Sequence, residues 1–190
     1  MRLVLASRNA HKARELSALM DGVELEPLPS AVRLPPETGT TYAENALGKA
    51  RVAAAALGRP AVADDSGIEA AALGGRPGVR SARFAGAAAT DAKNLARLVS
   101  EAPPGTALRY VCALAYVDAE RGIEHVVHGT CEGAVADRPR GEGGFGYDPI
   151  FVPDDLGDGR TMAELSPEEK DAISHRGRAA RALATWLKTG

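Results

Sequence analysis

The stretch Pro60-Ala61-Val62-Ala63-Asp64-Asp65-Ser66-Gly67 places two adjacent carboxylates directly after a short apolar run. The run predicts a buried strand over 60–63, and Gly67 is predicted to end it. Neighbouring carboxylates repel each other and are costly to bury unless a cation or a proton in transit offsets their charge. Ligands of open α/β sheets bind at the carboxyl ends of strands. The stretch is therefore either a catalytic or metal site or a solvated turn, and by itself it leaves both open.

The segments on either side alternate between helix and strand signals. Thr41 and Glu44 form a capping box for a helix that Gly58 ends, and Ser166 and Glu169 form a second box. Further predicted elements are strands over 3–6, 108–117 and 123–135, a weak strand within 21–40, and helices over 10–20, 91–101 and 175–188. The two long strands are predicted to pair antiparallel. This order predicts an α/β fold with a mixed sheet.

Length and composition are typical of one globular domain over residues 1–190, with room for two lobes. Apolar residues make up 45% and charged residues 25% of the chain, which supports a sizeable core. The net charge of −2 and the pI near 6.1 argue against a nucleic-acid partner but allow a local basic pocket for one nucleotide. Cys112 and Cys131 are expected to be small buried residues rather than a disulfide or a metal site.

The chain shows no signal for a membrane or for secretion. No apolar run approaches the roughly 20 residues that a membrane-spanning helix needs. Met1-Arg2 leads directly into a strand, without the apolar core of a signal peptide. We therefore expect a cytoplasmic protein with no membrane partner.

Several polar groups suit the phosphates of a nucleotide and a divalent ion. Ser7, Asn9 and Lys12 lie at the start of a predicted helix, where unpaired amides and the helix dipole favour anions. Lys49 lies on a later helix, and the loop carboxylate of Glu37 could join the acid pair as an oxygen ligand of Mg²⁺. Each signal also has a plainer interpretation, namely a surface lysine or a solvated acid.

A second group of residues suits a nucleobase. Phe145-Gly146-Tyr147-Asp148 combines aromatic rings, which can stack on a base, with a carboxylate that accepts hydrogen bonds. Lys170 and Ser174-His175-Arg176 offer donors near a predicted helix break. The alternatives are a hairpin with a core Phe and Tyr, and ordinary surface donors. Taken together, the groups describe a nucleotide pocket with a divalent metal.

These residues resemble the inosine/xanthosine triphosphate pyrophosphatases, also called Ham1-like proteins, from Leu3 to Ala182. The resemblance is carried by blocks in the same order, namely ETGTTYAENALGKA (37–50), ADDSG (63–67), LGGRPGVRSARFAG (73–86), GGFGYDPIF (143–151) and AELSPEEKDAISHRG (163–177). It implies a twisted mixed central sheet flanked by helices, in two lobes with the active-site cleft between them. It also implies a homodimer.

The resemblance implies an activity as well. Purine nucleoside triphosphates with a deaminated base, namely ITP, dITP, XTP and dXTP, are hydrolysed to the monophosphate and pyrophosphate with one or more Mg²⁺ ions, which removes them from the nucleotide pool. Asp65 is implied as the proton acceptor and a Mg²⁺ ligand, with Asp64 and Glu37 as further ligands. The implied substrate-binding residues are Ser7, Arg8, Asn9, Ala10, His11, Lys12 and Lys49 for the phosphates, Ser66 for the substrate, Phe145, Gly146, Tyr147, Asp148 and Lys170 around the base, and His175 and Arg176 for its 6-keto oxygen.

The first loop departs from the family pattern Thr-Gly-Asn-x-Gly-Lys. Ser7 keeps the hydroxyl, but Arg8 and His11 replace glycines, so the backbone must avoid positive φ there or accept strain. The added cation of Arg8 either assists phosphate binding or faces solvent. Pro36 stands where some relatives carry a second acid. Two other functions stay open: a Maf-like pyrophosphatase acting on other nucleotides, and a nucleotide-binding regulator without turnover.

Overall fold

The computed structural model describes residues 1–189, and within them the chain forms six strands and five α-helices. The strands are β1 (Arg2–Leu5), β2 (Glu24–Pro27), β3 (Ala61–Ala70), β4 (Ala107–Asp118), β5 (Ile123–Val135) and β6 (Phe151–Pro153). The helices are α1 (Ala10–Leu19), α2 (Tyr42–Leu57), α3 (Asp91–Glu101), α4 (Pro167–Ile173) and α5 (His175–Thr189). Short 3-10 turns occupy Ala71–Leu73, Gly78–Arg83, Asp148–Ile150 and Met162–Glu164.

The strands form one sheet in the order β2-β1-β3-β4-β5-β6. β1 pairs parallel with β2 and β3, whereas β5 pairs antiparallel with β6. Neighbouring β4 and β5 are joined by only residues 119–122, a connection that only an antiparallel pair can use. The predicted mixed α/β sheet is thus confirmed.

The local signals of the helices are also confirmed. Both reciprocal capping boxes are present, Thr41 with Glu44 at the start of α2 and Ser166 with Glu169 at the start of α4. Gly58 ends α2 in the left-handed conformation that glycine tolerates best. The predicted break near Ser174 separates α4 from α5.

The predicted end of the central strand is wrong. β3 continues through Asp64, Asp65 and Gly67 as far as Ala70. The residues after the acid pair include Ile68 and Ala70, which are fully buried, so packing extends the strand beyond the glycine that was expected to stop it. Asp64 is 1% exposed and Asp65 is 4% exposed. The alternative of a solvated turn is therefore wrong.

Contacts divide the chain into two compact units, in agreement with the two predicted lobes. The first contains residues 1–65, 112–129 and the chain from Arg176, and the second contains 66–111 and 130–175. The core of the first unit includes Leu3, Leu16, Val62, Leu114 and Leu183. The core of the second includes Ile68, Leu98, Tyr110, Phe151 and Met162. Among residues 1–189, no helix combines the length and the hydropathy that crossing a membrane requires.

Candidate active site

The two consecutive acids of β3 have different partners in the first unit. Successive residues of a strand point to opposite faces of the sheet, so Asp64 and Asp65 point away from each other. The Oδ2 atom of Asp64 lies 2.9 Å from Nζ of Lys12 and 3.5 Å from Nη2 of Arg176. The Oδ2 atom of Asp65 accepts a hydrogen bond of 2.8 Å from the neutral amide of Asn45. One acid is therefore bound to cations and the other to an amide.

These partners shift the two pKa values in opposite directions. Burial alone would raise the pKa of the Asp64 carboxyl, but the charges of Lys12, Arg176 and Lys49 hold that pKa well below its usual range. For Asp65, burial is the largest effect and raises the pKa, although the Asn45 hydrogen bond and Lys49 act against it. Neighbouring carboxylates with separated pKa values are typical of sites in which one acid stays ionised and the other takes up a proton.

Lys49 on α2 brings the loop acid Glu37 to this site. Its buried ammonium donates to Oε1 of Glu37 at 2.5 Å and to the main-chain oxygen of Asp64 at 2.7 Å. Burial would lower the pKa of Lys49, but the charges of Asp64 and Glu37 outweigh it, so the pKa is raised. Asn45 lies one turn before Lys49 on the same face of α2 and also accepts from the Gly39 amide at 2.8 Å. Asn45 and Lys49, one turn apart on α2, therefore hold the acid cluster of Asp64, Asp65 and Glu37 in place.

In the loop between β1 and α1, Asn9 caps the start of α1. The Oδ1 atom of Asn9 accepts from the amides of His11 at 3.0 Å and Lys12 at 3.2 Å, and the Ser7 hydroxyl oxygen accepts from the Asn9 amide at 3.2 Å. Two of the amides expected to bind phosphate are thus already paired, because asparagine is a strong helix cap. None of the described non-glycine residues has a positive φ, so Arg8 and His11 introduce no backbone strain.

Arg8 holds a neighbouring loop. Its guanidinium donates to the main-chain oxygens of Leu28, Pro29 and Val32 at 2.6, 2.7 and 2.8 Å. The sequence suggested either a phosphate contact or a solvent-facing side chain, and these three bonds give Arg8 a different, structural role. The five donors of a guanidinium suit such a set of carbonyl acceptors.

Arg176 joins two acids inside the first unit. It is 2% exposed, and besides Asp64 it donates to Oε2 of Glu15 on α1. Burial would lower the pKa of Arg176, but the charges of Asp64 and Glu15 raise it. Glu15 was missed by sequence reasoning; the available signal was its position three residues after Lys12, on the same side of α1. The reading of a base by Arg176 stays a prediction.

In the second unit, two of the residues predicted to bind a base, Phe145 and Lys170, contact a third, Asp148. This carboxylate is 3% exposed. Its Oδ2 atom accepts from Nζ of Lys170 at 2.8 Å and from the Phe145 amide at 2.9 Å, and its Oδ1 atom accepts from the Tyr110 hydroxyl at 3.0 Å. The Lys170 ammonium lies 5.2 Å from the centre of the Phe145 ring, within the range of a cation–π interaction. Tyr110, which looks like an ordinary strand residue in the sequence, was not predicted.

Two residues of the same turn have other partners. The buried hydroxyl of Tyr147 donates to the main-chain oxygen of Ser81 at 2.8 Å, and burial raises the pKa of Tyr147 far above its usual value. The Gly146 amide donates to Asp91 at 3.0 Å. Tyr147 therefore supports the core, as the plainer interpretation of this turn proposed. Ser66 directly follows Asp65 in β3 and is half-buried.

The acid cluster supplies oxygen ligands only. Among residues 1–189, no group of three or more His, Cys, Asp and Glu side chains is arranged as a metal-binding cluster. Asp64 and Glu37 are balanced by Lys12 and Lys49, whereas Asp65 contacts the neutral Asn45 amide. Buried carboxylate oxygens are the donors that Mg²⁺ prefers, and a further positive charge would favour the ionised form of Asp65. The donor chemistry therefore fits a hard divalent ion.

A buried acid with a raised pKa beside two lysines, on a mixed α/β sheet, is typical of an enzyme site for anionic substrates. The family model described as the Ham1 family matches residues 3–186. The chain belongs to the Ham1 family.

Individual relatives are similar to this chain over nearly its whole length. A dITP/XTP pyrophosphatase from Mycolicibacterium paratuberculosis is 50% identical, with 98% of this chain and 96% of the relative covered. One from Geobacillus kaustophilus is 49% identical, with 93% and 89% covered. The structure of a HAM1 protein from Coxiella burnetii matches with a TM-score of 0.87 at 42% identity and covers 100% of both chains. A nucleoside-triphosphatase / dITP/XTP pyrophosphatase from Mycobacterium abscessus matches with a TM-score of 0.74 at 48% identity, with 96% and 98% covered.

Proposed function

We propose that this protein hydrolyses deaminated purine nucleoside triphosphates, namely ITP, dITP, XTP and dXTP, to the monophosphate and pyrophosphate. The observation that carries the proposal is the difference between the partners of the two acids: Asp64 is paired with Lys12 and Arg176, whereas Asp65 accepts from the neutral Asn45 amide and burial raises its pKa. The relatives described above are named dITP/XTP pyrophosphatases, which points to the same reaction. Such an activity removes aberrant nucleotides from the pool before they enter DNA or RNA.

In the proposed reaction, Asp65 is the general base. A water oxygen attacks the α-phosphorus and its proton passes to a carboxylate oxygen of Asp65. The bond between the α-phosphorus and the oxygen that links the α- and β-phosphates breaks, and that oxygen leaves with the pyrophosphate. Burial raises the pKa of Asp65, which improves a carboxylate as a base near neutral pH. Lys12 and Lys49 offset the charge of the triphosphate and of the leaving pyrophosphate. Asp65 and Glu37 would hold Mg²⁺, which when bound would neutralise triphosphate charge, whereas Asp64 points to the opposite face of the sheet and pairs with Lys12 and Arg176.

The cluster of the second unit is proposed to select the base. Hypoxanthine and xanthine present a 6-keto acceptor, whereas adenine presents an amino donor at the same position. His175 is a donor that would meet the keto oxygen and face the adenine amino group unfavourably, and Lys170 would line the pocket. Mispaired polar groups in a desolvated site give a preference on the order of 10²- to 10⁴-fold. Phe145 is proposed to stack on the base.

We further propose that the protein acts in the cytoplasm as a homodimer, without a nucleic-acid or membrane partner. The net charge of −2 supports free nucleotides rather than duplex nucleic acid as the substrate. The family resemblance supports the dimer. Sedimentation velocity tests it directly: a boundary at the mass of one 19.7 kDa chain at micromolar concentration contradicts the dimer.

Pyrophosphate release over a nucleotide panel tests the proposed function. With Mg²⁺, we expect turnover of ITP, dITP and XTP, and little of ATP. Faster turnover of UTP or dTTP would favour the Maf-like alternative, and nucleotide binding without pyrophosphate release would favour the regulator. Asp65→Asn should lower kcat by roughly 10²- to 10⁴-fold, the contribution of a positioned general base. Asp118→Asn, which alters a buried acid at the end of β4, serves as the matched control.

A further inference from the structure

We infer that Tyr110 is a positioning residue that fixes Asp148, and through it Lys170 and Phe145, for recognition of the purine base. The inference rests on the proposed function, because the role of this cluster in base binding comes from that proposal. It adds to the site a residue on β4 to which neither the family motifs nor the sequence pattern assigned a role.

The hydroxyl of Tyr110 completes the hydrogen bonding of a buried charge. Asp148 accepts three described hydrogen bonds, and Tyr110 supplies the one that reaches Oδ1, at 3.0 Å. Lys170 and the Phe145 amide both bind Oδ2, at 2.8 and 2.9 Å. A carboxylate held at both oxygens cannot rotate about its Cβ–Cγ bond without losing a partner. The hydroxyl therefore fixes the orientation in which Oδ2 holds Lys170 and Phe145.

The ring of Tyr110 is itself fixed. It stacks on Phe151 with ring centres 4.4 Å apart and an angle of 26°, and on His175 with centres 4.6 Å apart and an angle of 13°. Tyr110 is 6% exposed, and its hydrogen bond to Asp148 is buried. Stacked and buried aromatic rings have few accessible rotamers. The residue thus presents one donor, in one direction, from a rigid support.

The same stack connects Tyr110 to His175, a second residue proposed to read the base. One ring therefore supports His175 through its face and Asp148 through its hydroxyl. Removal of the hydroxyl leaves the stack in place and releases only Oδ1 of Asp148. The two contributions can be separated by the single substitution Tyr110→Phe, which removes one oxygen atom.

The test compares Tyr110→Phe with Tyr116→Phe. Tyr116 lies on the same strand, and burial together with the charge and hydrogen bond of Asp118 raises its pKa, so it also pairs a strand hydroxyl with an acid. For Tyr110→Phe we expect KM for dITP to rise about three- to tenfold with kcat within about twofold, because positioning for binding is lost while the chemistry is retained. Tyr116→Phe should leave both constants unchanged. Inorganic tripolyphosphate, which has no base, should inhibit both variants and the unaltered protein with the same Ki.

A double-mutant cycle tests whether Tyr110 acts through Asp148. In the background of Asp148→Asn, Tyr110→Phe should add less than about twofold to KM, since the two residues belong to one hydrogen-bonded unit. Three results would each overturn the inference. They are an unchanged KM for dITP in Tyr110→Phe, a rise in the Ki of tripolyphosphate as large as the rise in KM, and full additivity of the two substitutions in the cycle. A merely structural role would lower the melting temperature without this selective pattern.

The crystal structure of Tyr110→Phe separates this inference from the proposed function. If the unaltered protein releases no pyrophosphate from dITP, the proposed function fails, and the position of Asp148 still decides the role of Tyr110. We expect the Asp148 carboxylate to rotate and its contact with Lys170 to lengthen beyond hydrogen-bond distance. Retention of both Oδ2 contacts without the hydroxyl would contradict a positioning role.

Discussion

Although Asp64 and Asp65 are adjacent on one strand, Asp64→Asn should mainly lower the stability of the protein, whereas Asp65→Asn should mainly lower its activity. Asn has nearly the same shape as Asp, so both substitutions remove a charge without creating a cavity. Asp64 is 1% exposed and is paired with Lys12 and Arg176, of which Arg176 is 2% exposed. Removing one partner of a buried ion pair leaves the other charge uncompensated, at a cost of about 3–5 kcal/mol.

We expect Asp64→Asn to lose about 3 kcal/mol of unfolding free energy at pH 7, the low end of that range, because Glu15 still contacts Arg176 and Lys12 is partly exposed. For a domain of this size, the loss corresponds to a fall of about 6–12 °C in the melting temperature. Asp65→Asn should keep the melting temperature within a few degrees, or raise it, because the pKa of Asp65 is raised and its ionised form is destabilised by burial. In that variant kcat should nevertheless fall by roughly 10²- to 10⁴-fold.

The pH dependence distinguishes this reasoning from a general packing defect. The pKa of Asp64 is depressed in the folded state, so its stabilising effect is present above the ordinary aspartate pKa of 3.8 and is lost as pH falls towards the folded value. Urea unfolding at pH 7.5, 5 and 3 measures the difference between the unaltered protein and Asp64→Asn. We expect a constant difference between pH 7.5 and 5 and a smaller one at pH 3. A difference below about 0.5 kcal/mol at pH 7.5, or one that grows on acidification, refutes the ion-pair account.

Three further predictions concern the 28–32 loop, the general base Asp65 and the core residue Tyr147. Arg8→Gly removes three hydrogen bonds to the 28–32 loop and should speed amide exchange there, with KM for dITP changed less than about twofold; hydrogen-exchange mass spectrometry measures the first and steady-state kinetics the second. The rate kcat/KM should fall on acidification with an inflection above the usual aspartate pKa, because Asp65 must be ionised to accept a proton and its pKa is raised; an inflection at or below 3.8 would rule out Asp65 as the base. Tyr147→Phe should lower the melting temperature by a few degrees and leave KM unchanged, because its hydroxyl binds Ser81 in the core; a tenfold rise in KM would instead assign it to the base site.

Signals that act within a few residues predicted the fold well. The capping boxes of α2 and α4, the break at Ser174 and the long strands β4 and β5 all depend on neighbouring residues, and the structure contains each of them. Gly67 was misleading, because glycine permits a turn without requiring one, and the buried side chains beyond it extend β3.

The site was predictable only where one motif contained both partners. The acid pair of β3 and the lysine of α2 could be found in this way. Contacts between distant segments could not: Tyr110 reaches Asp148 across 38 residues, and Arg176 reaches Glu15 across 161. For Arg8 the sequence left a phosphate contact and a solvent-facing side chain open, and it gave no sign of the three main-chain oxygens, 20 to 24 residues away, to which the guanidinium donates. Tertiary packing determines which distant residues come into contact, and local sequence patterns do not predict those contacts.

We propose above all that the protein hydrolyses nucleoside triphosphates with a deaminated purine base and rejects those with the corresponding amino-purine base. The most direct test measures pyrophosphate release from dITP and dATP with Mg²⁺ under identical conditions, since the two substrates differ only in the base. We expect kcat/KM to be on the order of 10²- to 10⁴-fold higher for dITP than for dATP, with dIMP and pyrophosphate as the products. Equal rates on dITP and dATP, or release of orthophosphate in place of pyrophosphate, would contradict it.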